Sequence, residues 1–468
     1  MERKLVGKQP TFRPKQPLKI YRLALWLALI LAGVWILMGI QRQQIEPLFQ
    51  PTPTPTRTTN SYIQEAQAYF QAGKLYDPDP PPPAPPRPDA IDSYQRALQL
   101  DPNNAQAWAE LARIQTYSIT MLSADTARLQ RLEEALESIN RAVEIDPEDS
   151  TVRAIRAFVL DWYASSALIP EERTQQLLLE AESEAVRAYG LDPDNGLALA
   201  YYAEVLLDQQ KWSQAEQNAA RAVALSPQVM DAHRVYATVL ESLGQYNSAI
   251  REYLRAAEIS PNLTFLYVYI GRNYLGLRLY ERALEYYARA ADINKQLGVE
   301  NPIPNIEIAK TYSQQGEFFI AARNAETALS FDPTNANTYG QLGIIYIRSR
   351  NYEGAMPVLK CAVRGCTAEE NEAGQVAVQG LPLSNLTVAY YYVQYGTVMA
   401  FLSRPDANQN FCPEARQVLD EVRQAFSGDP ILISIVEDSE GICRNLEGEQ
   451  AVAPAATQTP APPEESSP

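Results

Sequence analysis

One pattern limits this chain more than any other: small and aromatic residues return every 34 positions (237 less 203, for example). Ala203, Leu206, Trp212, Ala215, Ala219, Ala222 and Pro227 recur one period on as Ala237, Leu240, Tyr246, Ala249, Tyr253, Ala256 and Pro261. A further period gives Gly271, Tyr274, Tyr280, Ala283, Tyr287 and Ala290, with Lys295 where proline is expected. Three consecutive blocks keep one register without a gap. A period of this length marks a supersecondary unit that cannot bury its apolar face alone, so stacked neighbours must bury it. A chain of 468 residues would otherwise suggest about three domains. Here one array absorbs it.

The pattern extends both ways. Downstream, after an insertion at residues 298–301, come Ala309, Tyr312, Phe318, Ala321, Ala325, Ala328 and Pro333, then Gly343, Tyr346, Tyr352, Ala355, Leu359 and Ala362. Upstream, units end on Ala181, Ala185, Ala188 and Pro193, on Ala135, Ile139, Ala142 and Pro147, and on Ala90, Tyr94, Ala97 and Pro102. A ninth, weaker unit holds Gly396, Met399, Ala415 and Leu419. Over residues 61–446 the chain resembles the tetratricopeptide-repeat family. That motif has small residues at positions 8, 20 and 27, aromatics near 11, 17 and 24, and proline at 32. The resemblance implies an all-α solenoid of about eight to nine helix-turn-helix repeats. Small residues at 8 and 20 let the two helices of a unit approach, and the small residue at 27 does the same toward the next unit. Proline ends the second helix. Asp192-Pro193-Asp194-Asn195 supplies the turn and the cap of the helix that follows.

The first three units depart from the motif. Each carries an insertion at the same place: Pro80 to Pro83 in the first, residues 116–132 and 161–179 in the next two. The latter two read as longer helices with a longer turn, and Pro170-Glu171-Glu172 as a helix start. Together they form one lateral ridge, either a docking face or plain capping structure. A glycine-containing segment from Cys366 to Ser384, with Gly374 and Gly380, reads as a long loop. Residues 430–446 fit a helix that caps the array.

Ahead of the repeats, an uncharged apolar run of 18 residues begins at Leu23 and ends at Ile40. It is read as a transmembrane signal anchor rather than a cleaved leader, since no small-x-small site follows it. Ala24, Ala28 and Ala32 fall at helix-packing spacing within it, as ordinary apolar composition also allows. Residues 1–45 hold eight Lys or Arg and one acid, and seven of the eight precede the run. The positive-inside rule then places the N-terminus in the cytoplasm and the repeats outside. The expected organisation is a basic cytoplasmic tail (1–22), the span (23–40), a Pro/Thr-rich linker (41–60), the solenoid with its capping helix (61–447) and a disordered tail (448–468).

Past residue 45 the charges are 32 basic and 55 acidic, which leaves −23, after those eight and one are taken from the chain's 40 and 56. So acidic a surface repels phosphate backbones, and no nucleic-acid partner is expected. A single histidine, His233, argues against histidine-based chemistry and is read as a packing residue. Cys361, Cys366, Cys412 and Cys443 sit near the end of the array and allow three pairings. Proximity favours Cys361–Cys366 and Cys412–Cys443, which would staple the unravelling end. The rival is a four-cysteine zinc site, although no Cys-x2-Cys spacing appears.

In the family, the first helix of each unit lines a concave face that holds an extended peptide or a partner helix. Residue by residue, the resemblance places there Arg234, Thr238 and Glu241; Phe265, Val268 and Arg272; Ile303, Ile306 and Lys310; and Asn337, Gly340, Ile344 and Arg348. Arg234, Arg272, Lys310 and Arg348 are expected to form a basic line for an acidic or C-terminal peptide. The bland alternative pairs them with Asp231, Glu241 and neighbours. The lysine and asparagine pattern of chaperone-tail clamps is absent. No phosphate-binding glycine loop, nucleophile elbow or metal-spaced cluster is present. The expected function is a membrane-tethered, extracytoplasmic protein-interaction scaffold with no catalysis and no cofactor. Two alternatives are a self-associating structural element of the cell envelope and a non-catalytic accessory subunit of an envelope enzyme complex.

Overall fold

The computed structural model describes residues 20–41, 57–76, 87–122, 125–166, 169–371, 375–404 and 409–452. Outside them lie most of the expected basic tail and linker, Pro80 to Pro83, Gly374 and the tail from residue 453. The chain divides into two units, Met1–Arg57 and Thr58–Pro468. In the first unit, helix α1 (Ile20–Gln41) is formed and its apolar side chains, Trp26 and Trp35 among them, are exposed. The expected membrane span is corrected here: among the described residues no helix is long and apolar enough to cross a membrane. Length is the physical reason. The uncharged run of 18 residues rises ~27 Å at ~1.5 Å per residue, short of a ~30 Å hydrocarbon core. Arg22 and Gln41 bound it inside the same helix. The single-pass topology, with its cytoplasmic N-terminus and extracytoplasmic repeats, falls with the span.

The second unit is all helical, with two isolated β-bridges (Cys366 with Val378, Arg404 with Gln409) among the described residues. Helices pair in order: α2 (Thr59–Gln71) with α3 (Ala90–Leu100), α4 (Ala105–Ser118) with α5 (Asp125–Ile145), α6 (Ser150–Ala164) with α7 (Glu171–Leu191). Then come α8 (Gly196–Asp208) with α9 (Trp212–Leu225), α10 (Met230–Ser242) with α11 (Tyr246–Ile259), α12 (Thr264–Gly276) with α13 (Tyr280–Leu297). The last pairs are α14 (Ile303–Gln315) with α15 (Phe318–Phe331), α16 (Ala336–Arg348) with α17 (Tyr352–Val363), and α18 (Leu386–Leu402) with α19 (Cys412–Ala425). Helix α20 (Pro430–Val452) closes the array and runs into the stretch expected to be disordered. The inserted residues of the second and third units lengthen α5 and α7 to 21 residues each. α7 starts at Glu171, after Pro170.

The local chemistry is repetitive. Asn195 Oδ1 accepts from the Leu197 and Ala198 amides at 3.0 and 3.2 Å, satisfying two donors a helix start leaves orphaned. Asp149 and Asn335 cap α6 and α16 alike. Within units, the turn between helices passes through one left-handed residue: Gly73, Gln210, Gly244, Arg278, Gly316 and Arg350, with φ from 57° to 83°. The helices then cross at small residues. An ideal Cβ on Gly271 would lie 2.3 Å from the Tyr287 ring, so nothing larger than glycine fits beneath that tyrosine.

The array curls until its beginning meets its middle. Tyr117 of α4 is fully buried and stacks on Phe265 of α12, ring centroids 5.4 Å apart. Its hydroxyl bonds Asp231 of α10 and receives the Arg234 Nε at 2.9 Å. Arg234 completes a two-pronged pair with Glu204 of α8, both contacts 2.6 Å. Arg113, one turn before Tyr117, reaches Asp231 at 3.2 Å. Two outer ties reinforce this brace: Asn262 Nδ2 donates to the Gln71 carbonyl at 2.9 Å, and Asn301 Nδ2 to the Thr120 carbonyl at 3.2 Å. The insertion at residues 298–301 therefore carries one of the closing contacts.

Next to the brace, Asp161 of α6 and Asp208 at the end of α8 share a hydrogen bond. Burial, then Asp208 and Glu204, push the Asp161 carboxyl well above the carboxylate range. Burial and Glu204 lift Asp208 to about 6. The other polar groups facing the pair are Ser165, Trp162 (which donates to Glu204 at 3.1 Å) and Arg234. At the far end, disulfides join Cys361 to Cys366 and Cys412 to Cys443. No cysteine is left free for zinc.

Two measurements follow from this packing. The folded state holds the Asp161–Asp208 proton more tightly than the unfolded chain, so the pair's contribution is full below about pH 4. It is lost as pH rises through about 6. His233, whose ring is raised by its bond to Glu252, adds the same sign of slope at higher pH. Comparing wild type with Asp161→Asn at each pH isolates the carboxyl pair. The variant is expected to be more stable than wild type at pH 8 and no more stable at pH 4. An equal gain at both pH values in urea unfolding would refute a shared proton. For the disulfides, Cys412–Cys443 closes a separation of 31 residues, worth about 3–4 kcal/mol by loop entropy. The double variant Cys412→Ala/Cys443→Ala is expected to lose hydrogen-exchange protection in α18 to α20 and keep it in α8 to α13. Unchanged protection throughout would show that the bond staples nothing.

Candidate functional site

The first helices α4, α8, α10 and α12 meet inside the curl through the closing brace, which decides what the surface around it offers. Arg234 is 1 % exposed and committed to Glu204 and Tyr117. Phe265 and Val268 are buried beside it. Thr238 donates to the Arg234 carbonyl and shares a hydrogen bond with the Tyr253 hydroxyl, both at 3.0 Å. Glu241 accepts from Tyr253 and Asn273. None of these side chains extends a basic line into solvent, and Arg234 leaves it altogether. The pairing with Asp231 takes a different form: Asp231 pairs with Arg113, and Arg234 with Glu204. Burial opposes the Asp231 charge, yet Arg113 and Arg234 hold its carboxyl below the usual range.

Past the brace the surface opens. Arg272 and Lys310 keep side-chain exposures of 42 % and 39 %. Both pair with the buried Glu307, at 2.9 and 3.5 Å. Against the cost of burial they hold its carboxyl low, so Glu307 stays charged and offsets one of the two cations. Arg348 is exposed and donates to Ser313 Oγ at 3.1 Å. Lys310, Arg348, Ser313, Gln314 and Gln341 surround a recess of about 210 Å³ floored by Ile344 and Ile345. Asn337 accepts from Tyr391 at 2.7 Å, and the same hydroxyl receives the Gln341 amide. Gly340 leaves room for that ring, which would stand 2.5 Å from a Cβ. Ile303 and Ile306 are half-buried on α14.

A second recess, of about 600 Å³, lies on the other side of the brace, between α2, α4 and α6. Sequence reasoning passed over it because α2 lacks the aromatic and proline spacing of a regular unit. It also missed a recurrent tie. Trp108, Arg153, His233, Tyr267 and Tyr339 each donate to the carbonyl of the proline six residues earlier, at 2.8 to 3.1 Å. The signal was present as a large polar-tipped residue at Pro+6, but the residue type changes from unit to unit. His233 thus makes a structural bond through Nε2, while Nδ1 meets Glu252 at 2.7 Å. Among the described residues no group of three or more His, Cys, Asp or Glu side chains is placed to hold a metal.

Comparison with known proteins agrees with this geometry at the level of the repeat. Family models described as tetratricopeptide repeat match residues 127–149 and 203–263. No curated protein sequence matches the chain. Among solved structures, TTC0263, a thermophilic TPR protein of Thermus thermophilus, is 19 % identical with a TM-score of 0.36, over 47 % of this chain and all of that one. Yeast Tom70 is 12 % identical with a TM-score of 0.46, over 85 % of this chain and 92 % of that one. Cut9, in the APC/C hetero-tetramer Cut9–Hcn1, is 14 % identical with a TM-score of 0.49, over 82 % and 64 %. At such scores these likenesses say nothing about partners. The second unit of this chain is an all-α array of helix pairs that contains tetratricopeptide repeats.

Proposed function

We propose that the protein is a non-catalytic interaction scaffold whose C-terminal concave groove, over α12 to α18, holds an extended acidic peptide. The supporting observation is two cations, the half-buried Lys310 and the exposed Arg348, flanking a recess with an isoleucine floor. Neither cation is fully used within the chain: Lys310 shares Glu307 with Arg272, and Arg348 donates to a neutral serine. A peptide carboxylate gains charge-assisted hydrogen bonds there, and an apolar residue beside it covers Ile344. The acidic remainder of the surface repels the same peptide, which confines it to the groove. Burial withdraws Arg234 from this reading, so the basic surface is Arg272, Lys310 and Arg348. Solenoid faces that bind by shape and charge need no reaction chemistry, and multivalent capture is the mechanism such an array serves.

A fluorescein-labelled octapeptide of alternating Glu and Leu, titrated by anisotropy, tests the reading. Lys310→Glu combined with Arg348→Glu is expected to weaken binding at least tenfold, since each charge-assisted bond contributes about 1.5–3 kcal/mol. Raising the salt should weaken wild-type binding as well. Equal affinity for the double variant, or for a Lys/Leu peptide on the wild type, would sink the acidic-peptide assignment.

A further inference from the structure

We propose that Asp161 and Asp208 form a proton-operated latch on the curl: while a proton sits between them the brace stays shut, and its loss releases α4 from α10 and α12. The proposal goes beyond the C-terminal groove and does not depend on it.

The latch rests on a charge count at one place, where three carboxyl groups converge on one guanidinium. Glu204 takes both prongs of Arg234 at 2.6 Å and the Trp162 indole N–H at 3.1 Å. Asp208 follows Glu204 by four residues on α8, the spacing at which like charges repel across one helix face. Asp161 faces both from α6 and is 1 % exposed. Its Oδ1 is buried with no hydrogen-bond partner, a place that an ionised carboxylate occupies only at a heavy desolvation cost. Asp208 stands at the exposed end of α8, so a proton reaches the pair from solvent without the fold coming apart.

Among the described residues, the elements around the pair supply no second cation. On α4, Arg113 is committed to Glu110 and Asp231, and Tyr117 is held neutral by burial. On α6, Arg153 and Arg156 bond Glu184 and Glu180 of α7. Glu133 of α5 and Arg173 of α7 act on Tyr163 instead. Glu182 of α7 is held by Lys211 and Gln209. On α10, Asp231 is taken by Arg113 and two tyrosine hydroxyls, and His233 by Glu252. Only Arg234 is left, with the neutral Ser165 beside Asp208.

Ionising Asp161 therefore sets Arg234 between rival carboxylates. Arg234 is also what grips α4: its Nε donates to the Tyr117 hydroxyl at 2.9 Å, and its guanidinium lies 5.5 Å from that ring's centroid. A guanidinium that turns toward Asp161, or water admitted to hydrate the new charge, breaks this grip. Burial and the neighbouring carboxylates raise both acids, Asp208 to about 6. The closed state thus holds its proton-linked advantage in full below about pH 4 and loses it as pH rises through 6. From pH 5 to pH 8 the closed-to-open ratio is expected to fall by about tenfold or more.

Double electron–electron resonance on the full chain tests this. The turn after α2 touches the far side of the seam, where a Cβ on Gly73 would stand 2.4 Å from the Asn262 carbonyl oxygen and 2.9 Å from Leu297. Spin labels on Ala68→Cys of α2 and Gln296→Cys of α13, both exposed, flank that contact. The native cysteines are all in disulfides and take no label. One short distance is expected at pH 5, and a second, longer population at pH 8. Labels on Ser213→Cys of α9 and Glu258→Cys of α11, both exposed, should report one distance throughout. Asp161→Asn, alone or with Asp208→Asn, should keep the short seam distance at pH 8, with circular dichroism checking the fold. An unchanged seam distance between pH 5 and pH 8, a reading that needs neither asparagine variant, overturns the latch. So does a lengthening that persists in both asparagine variants, or one that the α9–α11 labels share.

Discussion

Everything in the repeat unit depends on how closely two helices can approach. Gly271 against Tyr287, Gly343 against Leu359 and Gly396 against Leu419 are contacts in which a Cβ would stand 2.3 to 2.7 Å from the opposing side chain. Where alanine serves instead, at Ala203, Ala215, Ala219 and Ala222, it is wholly buried. Such crossings set the angle between helices, and repetition turns a small angle per unit into the curvature of the array. That curvature brings α4 within reach of α10 and α12. Neither the brace nor the two recesses would exist if the crossings were wider.

The brace is costly chemistry placed where it cannot relax. Burying Arg113, Arg234, Asp231 and Glu204 forfeits hydration that each ion had in water, and the pairs recover it only while all partners are present. Removing one member would leave a buried charge uncompensated, a loss of about 3–5 kcal/mol. Around it, aromatic rings pack at 5.1 to 5.6 Å (Tyr117 with Phe158 and Trp162, Phe158 with Trp162) and exclude the water that would soften the field. A cluster that demands every partner specifies one closure geometry more sharply than apolar packing alone would. The two carboxyls beside it, Asp161 and Asp208, show the same field acting on groups that have no cation to themselves.

The repeats were legible because their determinants are local and periodic. Ala203 to Pro227 and its echoes announce helix pairs, Asp192 to Asn195 announces a turn and a cap, and Pro170-Glu171 announces a helix start. The left-handed turn residues were half legible: Gly244 and Gly316 look like turn glycines, but Gln210, Arg278 and Arg350 hold the same φ without advertising it. The candidate site was legible only where the array stays open. Arg348 keeps the exposure that its position in the unit suggests, and Lys310 is half-buried. Arg234 occupies a comparable position and is buried, because its partner Tyr117 lies 117 residues upstream. No period reveals such a contact. The apolar run from Leu23 misled for a different reason: at 18 residues it stands at the threshold where composition looks sufficient and length is not.

The closure has a consequence for how the chain is made. A solenoid held by neighbours alone can fold as it emerges, each pair settling on the last. Here Arg113 and Tyr117 of the second pair wait for Asp231 and Arg234 until α10 has been synthesised. At about 5–20 residues per second, the separation of 117 residues takes roughly 6 to 23 s. During that interval a charged and aromatic surface waits uncovered, and the nascent N-terminal pairs are at most a partly assembled ring. An architecture built on local contacts thus acquires one non-local step, and the order of synthesis, rather than the strength of any single unit, decides when the interior closes.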